Sequence, residues 1–485
     1  MLFNDNRILF FDDRDIESAE NVTLTMNPPV KCGPCLHVEK PWEKGARGLC
    51  VVEWQGEYRF YYHVSPWKGC KCLAFVVSKD GVTWERPKLG LVEFRGSKAN
   101  NLVDMGANKQ NEGNIFVDPS APEDQRFKLV GHSQYEGGMY MMYSPDGLSF
   151  KRHPENLLPF ILDNHNTSFY DERIGKYVIY SRGWPRSRSV FPLQGSRSVI
   201  RIETDNLFRP LSWDKDAPDL WPLSKKWEGL GHEDMRRVNL ELPTVLGPDD
   251  LDPPEADIYQ LAGVHYLPDA YLGFPSLYYH HPWAPEGFVN DGYLDLQFAS
   301  SRDGISWQRD FRGSYVRLDL PDGYCTKMMH MMVGIVPCGH RISQYYIGGR
   351  YSHGEGRITG DTKVKRPKVP NAPIIHRAEQ RMDGFVSADS AYTGGMLVTK
   401  PFEIRSKQLK LNIDTSASGV AWAALLNRNG NEIRGFGLGD CDFIQTNDTQ
   451  HVVTWKKQDD LSKLVGKKVR LLLKSRSAKL FAVYP

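Results

Sequence analysis

The sequence has little cysteine, no long hydrophobic run and almost no net charge. Eight cysteines in 485 residues are too few for a scaffold held by disulfides. No stretch approaches the roughly 20 consecutive apolar residues of a membrane-spanning helix. The 61 basic residues are balanced by 59 acidic ones, for a formal net charge of +2. Because nucleic acids are bound through dense basic surfaces, we expect neither a nucleic-acid nor a membrane partner.

The N-terminal segment also lacks the features of a secretion signal. It carries acidic residues where a signal peptide has lysine or arginine, and its apolar run at residues 8–11 is shorter than the hydrophobic core of such a signal. No signal peptide is visible in the sequence. A removed leader and a cytoplasmic location are both compatible with this, so the compartment stays open.

Two pairs of cysteines raise the question of a metal or redox site. Cys32 and Cys35 have CxxC spacing, and Cys70 and Cys72 are separated by one residue. A zinc ribbon requires two CxxC pairs, and a thioredoxin-type CxxC begins a helix in a βαβ unit. The sequence around these cysteines fits neither arrangement, so we predict no metal site and no redox function for them.

What the sequence does contain is a repeated motif, Ser-x-Asp-Gly-x-x-aromatic. It occurs at Ser78–Trp84, Ser144–Phe150 and Ser301–Trp307, with a degenerate copy over residues 203–213. The pattern is typical of a tight hairpin turn in which Asp accepts backbone N–H bonds and Gly adopts a left-handed conformation. We therefore expect each copy to join two strands of an antiparallel sheet.

Short segments rich in aromatic and β-branched residues precede these turns and form five groups, each able to supply a four-stranded sheet. Repeats of this period are typical of a β-propeller, whereas a series of sandwiches would not regenerate the same turn in every sheet. We predict an all-β protein, with a five-bladed β-propeller over residues 1–390. The strands beyond it predict an accessory C-terminal β-sandwich over residues 391–485.

Three strings resemble the five-bladed β-propeller glycoside hydrolases, the superfamily that includes families 32, 43, 62 and 68. They are residues 78–102, residues 292–310, and residues 381–389 with the strands that follow. The resemblance is to an uncharacterised branch, and it implies cleavage of a glycosidic bond in a plant, algal or microbial glycan. The Trp-x-Asn-Asp-Pro-Asn-Gly, Arg-Asp-Pro and Glu-Cys signatures of well-studied relatives are absent from this sequence. No catalytic residue is therefore transferred by motif, and the pattern argues against invertase or fructanase activity.

The resemblance also implies that the substrate lies over one end of the propeller axis, where the innermost strands begin. Glycoside hydrolysis requires a carboxylic acid as proton donor and a second carboxylate as nucleophile or base. Acidic residues at the start of a predicted blade are therefore the catalytic candidates: Glu43, Glu112, Asp163 and Asp257. The alternative for each is a structural role, in an ion pair, a turn or a hydrogen bond that closes a blade. Asp118 and Asp171, at predicted strand ends, are expected to be turn residues.

Several other side chains near these acids are candidates for binding the substrate: Trp42, His165, Asn166, Arg236, Arg237, Arg350 and His353. A tryptophan can stack on a sugar ring, and an arginine can hold a carboxylate, which makes an acidic sugar one attractive substrate. The reaction requires no cofactor, although an axial calcium or another ion stays open. Two other functions stay open as well: a non-catalytic carbohydrate-binding propeller, and a phosphorylase with a basic cluster beside one acid.

Overall fold

The structure is a computed structural model, and it describes residues 1–68, 70–106, 112–132, 138–159, 162, 166–183, 197–212, 243–281, 291–355 and 372–485, with the backbone alone for Glu112. The regular elements of these residues are 31 strands and one 3-10 turn at Glu123–Gln125. The predicted all-β class is confirmed. No helix long and apolar enough to cross a membrane occurs in the described residues.

Two compact units share the sequence. The first consists of residues 1–2, 31–338 and 343–378, and the second of residues 3–30, 339–342 and 379–485. The boundary predicted from the sequence lies at residue 390 instead, and it counts residues 3–30 with the propeller. These residues join the second unit because two of their strands pair with strands beyond residue 385.

The sheets of the predicted propeller lie between residues 30 and 381. The largest has seven strands, in the order Val30–His37 (β4), Pro373–Arg381 (β23), Arg341–Gly349 (β22), Met328–Cys338 (β21), Arg47–Trp54 (β5), Glu57–Val64 (β6) and Cys72–Ser78 (β7). A four-stranded sheet contains Lys151–Arg152 (β11), Met139–Ser144 (β10), Phe127–His132 (β9) and Glu112–Val117 (β8).

Two further sheets lie in the described residues of this part of the protein. One contains Thr167–Asp171 (β12), Lys176–Gly183 (β13), Ser198–Thr204 (β14) and Thr244–Leu246 (β15). The other contains Ala256–Leu267 (β16), Ala270–His280 (β17), Ala299–Ser301 (β19) and Trp307–Gln308 (β20), with Gly292–Leu296 (β18) also paired to β17. The strand pairs in these sheets whose register is known are antiparallel, except for the pair of β21 and β5, which is parallel.

Five strands from these sheets surround one axis. One cavity of about 450 Å³ is lined by residues of β5, β8, β12, β16 and β21: Val51, Ile115, Ser168, Val264 and Val333. Antiparallel sheets whose first strands surround a common channel form a β-propeller. In the described residues, β21 joins β5 through a single parallel bridge between Val333 and Cys50. The seven-stranded sheet therefore consists of two sets of strands: β4, β23, β22 and β21 form one, and β5, β6 and β7 form the other. The count of five blades stays a prediction.

The repeated motif forms the turn that the sequence predicts. In the first copy, Ser78 Oγ accepts the N–H of Gly81 at 2.8 Å, and Asp80 Oδ1 accepts the N–H groups of Val82 and Thr83 at 2.8 Å each. The Asp146 and Asp303 copies repeat these bonds. The glycines have φ values of 70°, 74° and 74°, a region that glycine enters without steric cost.

Each of these turns also accepts a hydrogen bond from a tyrosine of a neighbouring sheet. The tyrosine hydroxyl donates to the carbonyl of the turn glycine in three pairs: Tyr345 to Gly81 at 2.5 Å, Tyr61 to Gly147 at 3.1 Å, and Tyr180 to Gly304 at 2.5 Å. The three tyrosines lie in β22, β6 and β13. The turn therefore joins two strands within one sheet and also fixes that sheet to the next.

The second unit is a sandwich of two sheets. One contains Asn447–Val452 (β29), Lys410–Asp414 (β27), Ala478–Tyr484 (β31), Val386–Ser390 (β24) and Val22–Met26 (β3), with Ile8–Leu9 (β1) paired to β31. The other contains Ile16–Glu20 (β2), Gly395–Thr399 (β25), Lys468–Arg476 (β30) and Phe402–Glu403 (β26), with Val420–Leu426 (β28) paired to β30. One core that includes Leu411, Leu471 and Trp455 takes residues from both sheets.

Candidate functional site

Polar side chains from three sheets meet at the end of the propeller where the inner strands begin. Asp257 and Tyr259 lie at the start of β16, and His330 lies at the start of β21. Arg197 immediately precedes β14, and His280 ends β17. We call these five residues, together with Tyr278 and His353, the Asp257 cluster. It is at the opposite end of β16 from His265, which lines the axial cavity.

Asp257 is a buried carboxylate held by an arginine and a histidine. Its Oδ2 atom accepts from Arg197 Nη1 at 2.7 Å and lies 2.8 Å from His280 Nε2, while its Oδ1 accepts the backbone N–H of Arg197 at 3.1 Å. Burial by itself would raise the pKa of Asp257, but the hydrogen bond from His280 and the charge of Arg197 hold that pKa below its ordinary value. The group is therefore ionised at neutral pH.

Aromatic rings and histidines surround this carboxylate. The Tyr259 ring lies 5.3 Å from that of His330, and its hydroxyl lies 3.1 Å from His353 Nε2. The Tyr278 ring lies 4.1 Å from the His280 ring and 5.0 Å from the His353 ring. The guanidinium of Arg197 lies over the rings of Tyr259 and Tyr278, at 5.6 and 5.2 Å. The arrangement combines a negative charge with apolar ring faces, which suits a polyhydroxy ligand that also has apolar faces.

A second buried carboxylate, Asp291, lies close to the cluster. It accepts hydrogen bonds from Ser352 Oγ at 3.0 Å and from the N–H of Gly354 at 2.5 Å. Burial raises the pKa of Tyr278, and the charges of Asp291 and Asp257 add to that rise, which places this ring near both acids. Asp291 is not among the residues predicted from the sequence, because Asn-Asp-Gly is a common turn sequence and no strand start was expected there.

Glu43, a predicted catalytic acid, forms a buried ion pair with Arg86. Its side chain is fully buried, and Oε1 accepts from Tyr62 Oη and Arg86 Nε, each at 2.7 Å. Oε2 accepts the backbone N–H groups of Glu39 and Lys40 at 2.8 and 2.9 Å. Both oxygens thus have two strong donors from the protein itself. An ion pair of this kind is the alternative that the sequence left open for Glu43.

The predicted binding residues fall in different places. Trp42 donates from Nε1 to Asn101 Oδ1 at 2.8 Å and packs against Phe94 in the core of its sheet. Asn166 is fully buried beside β12 and accepts from Ser181 Oγ at 2.5 Å. Of the predicted ligands whose side chains are described, His353 is the one that belongs to the Asp257 cluster.

Arg350 supports a loop at the rim of the propeller. It donates to the carbonyls of Gly323 and Asp322 at 2.7 and 3.1 Å, and its guanidinium lies 5.2 Å from the Tyr324 ring centre. The other predicted site residues lie outside the described side chains: Asp163, His165, Arg236, Arg237 and the side chain of Glu112. Their roles stay predictions.

Asp118 and Asp171 have structural surroundings at the opposite end of the inner strands. Asp118 accepts from Lys128 Nζ at 3.0 Å and Tyr177 Oη at 2.6 Å, and Asp171 accepts from Tyr271 Oη at 2.6 Å. The described residues contain no group of three or more His, Cys, Asp and Glu side chains arranged to hold a metal ion. An axial ion stays a prediction.

Comparison with known proteins gives weak similarities to solved structures. No family model and no curated protein matches this sequence. A BT0996 complex with RGII is 11% identical, over 74% of this protein and 93% of that one, with a TM-score of 0.46. An N-acetylgalactosamine deacetylase from F. plautii is 12% identical, over 75% and 96%, with a TM-score of 0.41. The Bombyx mori GH32 β-fructofuranosidase BmSUC1 is 12% identical, over 95% and 94%, with a TM-score of 0.36.

The similar structures include glycoside hydrolases of families 32 and 43, which is the kind of protein that the sequence resembles. They also include the deacetylase, a different activity. Because one fold can carry several reactions, similarities at these identities and TM-scores assign no reaction to this protein. A function has to be inferred from the site.

Proposed function

We propose that the protein is a glycoside hydrolase that cleaves a glycosidic bond in a glycan, with the Asp257 cluster at its active site. The observation that carries the proposal is the ionised carboxylate of Asp257, held between Arg197 and His280 where the inner strands begin. Glycoside hydrolysis passes through a transition state with positive charge on the sugar ring, which a fixed carboxylate stabilises.

The lowered pKa of Asp257 decides which role it can take. An acid that is ionised at neutral pH has no proton to give, so Asp257 suits the nucleophile or base and not the proton donor. The donor must be a second carboxyl group. Asp163 and Glu112 are the candidates from the sequence, and Asp291 is the candidate that the structure adds.

Tyr259 of the cluster and Tyr293 outside it supply the binding surface. Tyr259 is partly exposed, and Tyr293, on β18, exposes 39% of its surface next to His281, whose ring centre lies 5.0 Å away. Aromatic faces of this kind stack against the C–H faces of sugar rings. Stacking of this kind suits a glycan, and the sequence resemblance implies one of plant, algal or microbial origin.

The first test is the substitution Asp257→Asn in the full-length protein. We expect it to lower kcat by a factor of about 1,000 or more, since the amide cannot act as nucleophile or base and stabilises positive charge poorly. Activity is measured by release of reducing ends from a panel of polysaccharides and aryl glycosides.

The matched control is Asp118→Asn. Asp118 is also a fully buried aspartate with a lowered pKa and an ion-pair partner, Lys128, but it lies at the far end of an inner strand. This variant should lose stability while its folded fraction keeps the activity of the unchanged protein. If Asp257→Asn retains full activity, the site proposed here is wrong.

A second function is favoured by the geometry of Glu43. Glu43, the acid that the sequence offers for the first blade, is engaged in an ion pair with Arg86. This is expected for a propeller that binds carbohydrate without cleaving it. Such a protein would bind oligosaccharides in calorimetry and release no reducing ends from any of them. A phosphorylase would instead require added phosphate for cleavage, so the same panel with and without phosphate separates the three functions.

A further inference from the structure

The fold brings Cys70 and Cys72 into contact. Their Sγ atoms lie 3.2 Å apart. Cys72 begins β7, and Cys70 lies two residues before it, just outside the strand. Both side chains are partly exposed. The spacing that argued against a metal ribbon in the sequence is therefore the spacing that places two thiols side by side.

The remaining cysteines have other surroundings. Cys32 and Cys35 lie three residues apart within β4, where an odd spacing directs side chains to opposite faces. Cys50 and Cys325 are buried, and Cys338 is exposed. All eight cysteines lie in the described residues, and Cys70 with Cys72 is the pair whose sulfur atoms are in contact.

We propose that Cys70 and Cys72 form a reactive dithiol that closes to an intramolecular disulfide on meeting a small-molecule disulfide such as oxidised glutathione. Thiol–disulfide exchange proceeds by attack of a thiolate on a disulfide sulfur. Two thiols already held in contact make the second, ring-closing step intramolecular and therefore fast.

The exchange balances in two steps. Cys70 loses its proton, attacks one sulfur of the reagent and releases one reagent thiol, which carries that proton. Cys72 then loses its proton and displaces the second reagent thiol from Cys70. The two cysteines are oxidised, and the reagent disulfide is reduced to two thiols. Burial raises the pKa of Cys72, and the adjacent Cys70 adds to that rise, which favours Cys70 as the first attacker.

The disulfide would close a ring over residues 70–72, at the start of β7. Cys70 donates its backbone N–H to the carbonyl of Trp67 at 3.2 Å. Trp67 exposes 39% of its surface, and its ring lies 6.0 Å from that of Phe94. The ring therefore adjoins the segment that presents this exposed tryptophan, at the point where Cys72 pairs with Val64 of β6.

The test is a tryptic digest of the full-length protein after oxidation under native conditions. Oxidised glutathione is raised until Cys338, an exposed single cysteine, forms a mixed disulfide; remaining thiols are alkylated and the protein is denatured and digested. Because Lys68, Lys71 and Lys79 are cleavage sites, the disulfide would link peptide 69–71 to peptide 72–79. We expect this linked pair to replace most of the separate alkylated peptides, and to disappear on reduction.

One variant tests the ring-closing step, and a second serves as the control. Cys72→Ser should accumulate a mixed disulfide on Cys70, and Cys32→Ser should leave the linked pair unchanged. The proposal is overturned if peptides 69–71 and 72–79 are recovered separately, alkylated or as mixed disulfides, under conditions that convert Cys338. It does not depend on the glycosidase proposal, since the readout is a peptide mass and not an activity.

Discussion

At the scale of single residues, the same side-chain chemistry serves two purposes in this protein. Glu43 and Asp257 are both buried acids paired with arginine, and both are catalytic candidates in the sequence. Two backbone N–H groups and the Tyr62 hydroxyl also donate to Glu43. Asp257 accepts one backbone N–H group and lies against the His280 ring nitrogen. Burial and an ion pair therefore do not identify a catalytic acid, and the remaining neighbours decide the role.

We expect Glu43→Gln to lower stability without lowering the activity of the folded protein. Glutamine keeps the shape but removes the charge that Arg86 faces, and breaking one side of a buried ion pair costs about 3 kcal/mol or more. Urea unfolding measures the loss, and kcat per folded molecule is measured alongside. A fall in kcat of the size expected for Asp257→Asn, at unchanged stability, would contradict a structural role for Glu43 and would indicate that Glu43 is catalytic.

At the scale of elements, the repeated turn does more than its sequence suggests. The Ser-x-Asp-Gly motif predicts a hairpin turn, and the structure adds a tyrosine from a neighbouring sheet that donates to the glycine carbonyl. A side chain on the turn glycine would therefore meet two obstacles. One is the left-handed backbone, and the other is the tyrosine that packs on it.

These two costs can be separated with a pair of alanine substitutions. Gly147 has a φ of 74°, and a methyl group there would press on Tyr61 and Phe127. Gly56 has a φ of 78° and open space around it. We expect Gly56→Ala to cost about 1 kcal/mol from backbone strain alone, and Gly147→Ala to cost about 1 to 3 kcal/mol more from overpacking. Chemical denaturation of both variants measures the difference, and equal losses would show that the tyrosine contact contributes nothing.

At the scale of the whole molecule, buried neutral histidines set how stability depends on pH. Burial lowers the pKa of His265 and of His376 from the ordinary value of 6.5 to about 4. Between these values the unfolded state takes up protons that the folded state does not, so the contribution of these histidines to stability is complete above pH 6.5 and is lost as the pH falls towards 4. Each histidine contributes on the order of 3 kcal/mol to that loss.

We therefore expect the melting temperature to fall steeply between pH 6.5 and 4.5, above the range in which most carboxylates titrate. Calorimetry at half-unit intervals of pH measures the slope. His265→Gln should flatten it, because glutamine is neutral in both states and therefore removes the difference in proton binding. An unchanged slope in this variant would mean that other groups dominate the acid sensitivity.

The sequence by itself determined the all-β class and the positions of the hairpin turns. Both depend on residues that are neighbours in the sequence: alternating side chains make a strand, and Ser, Asp and Gly within four positions make the turn. It also singled out Asp257 and His353, which the structure brings together. The roles predicted for Asp163, His165, Arg236 and Arg237 still rest on the sequence.

Only the tertiary structure decided which groups surround each buried acid. Arg197 reaches Asp257 from 60 positions away, and Arg86 reaches Glu43 from 43 positions away. No local sequence pattern identifies such partners, because the arrangement of the strands in the fold determines which residues meet. The charge state of a buried group depends on the donors and rings around it after folding. That is why the sequence could propose Glu43 and Asp257 on equal terms, and why the folded protein gives them different partners.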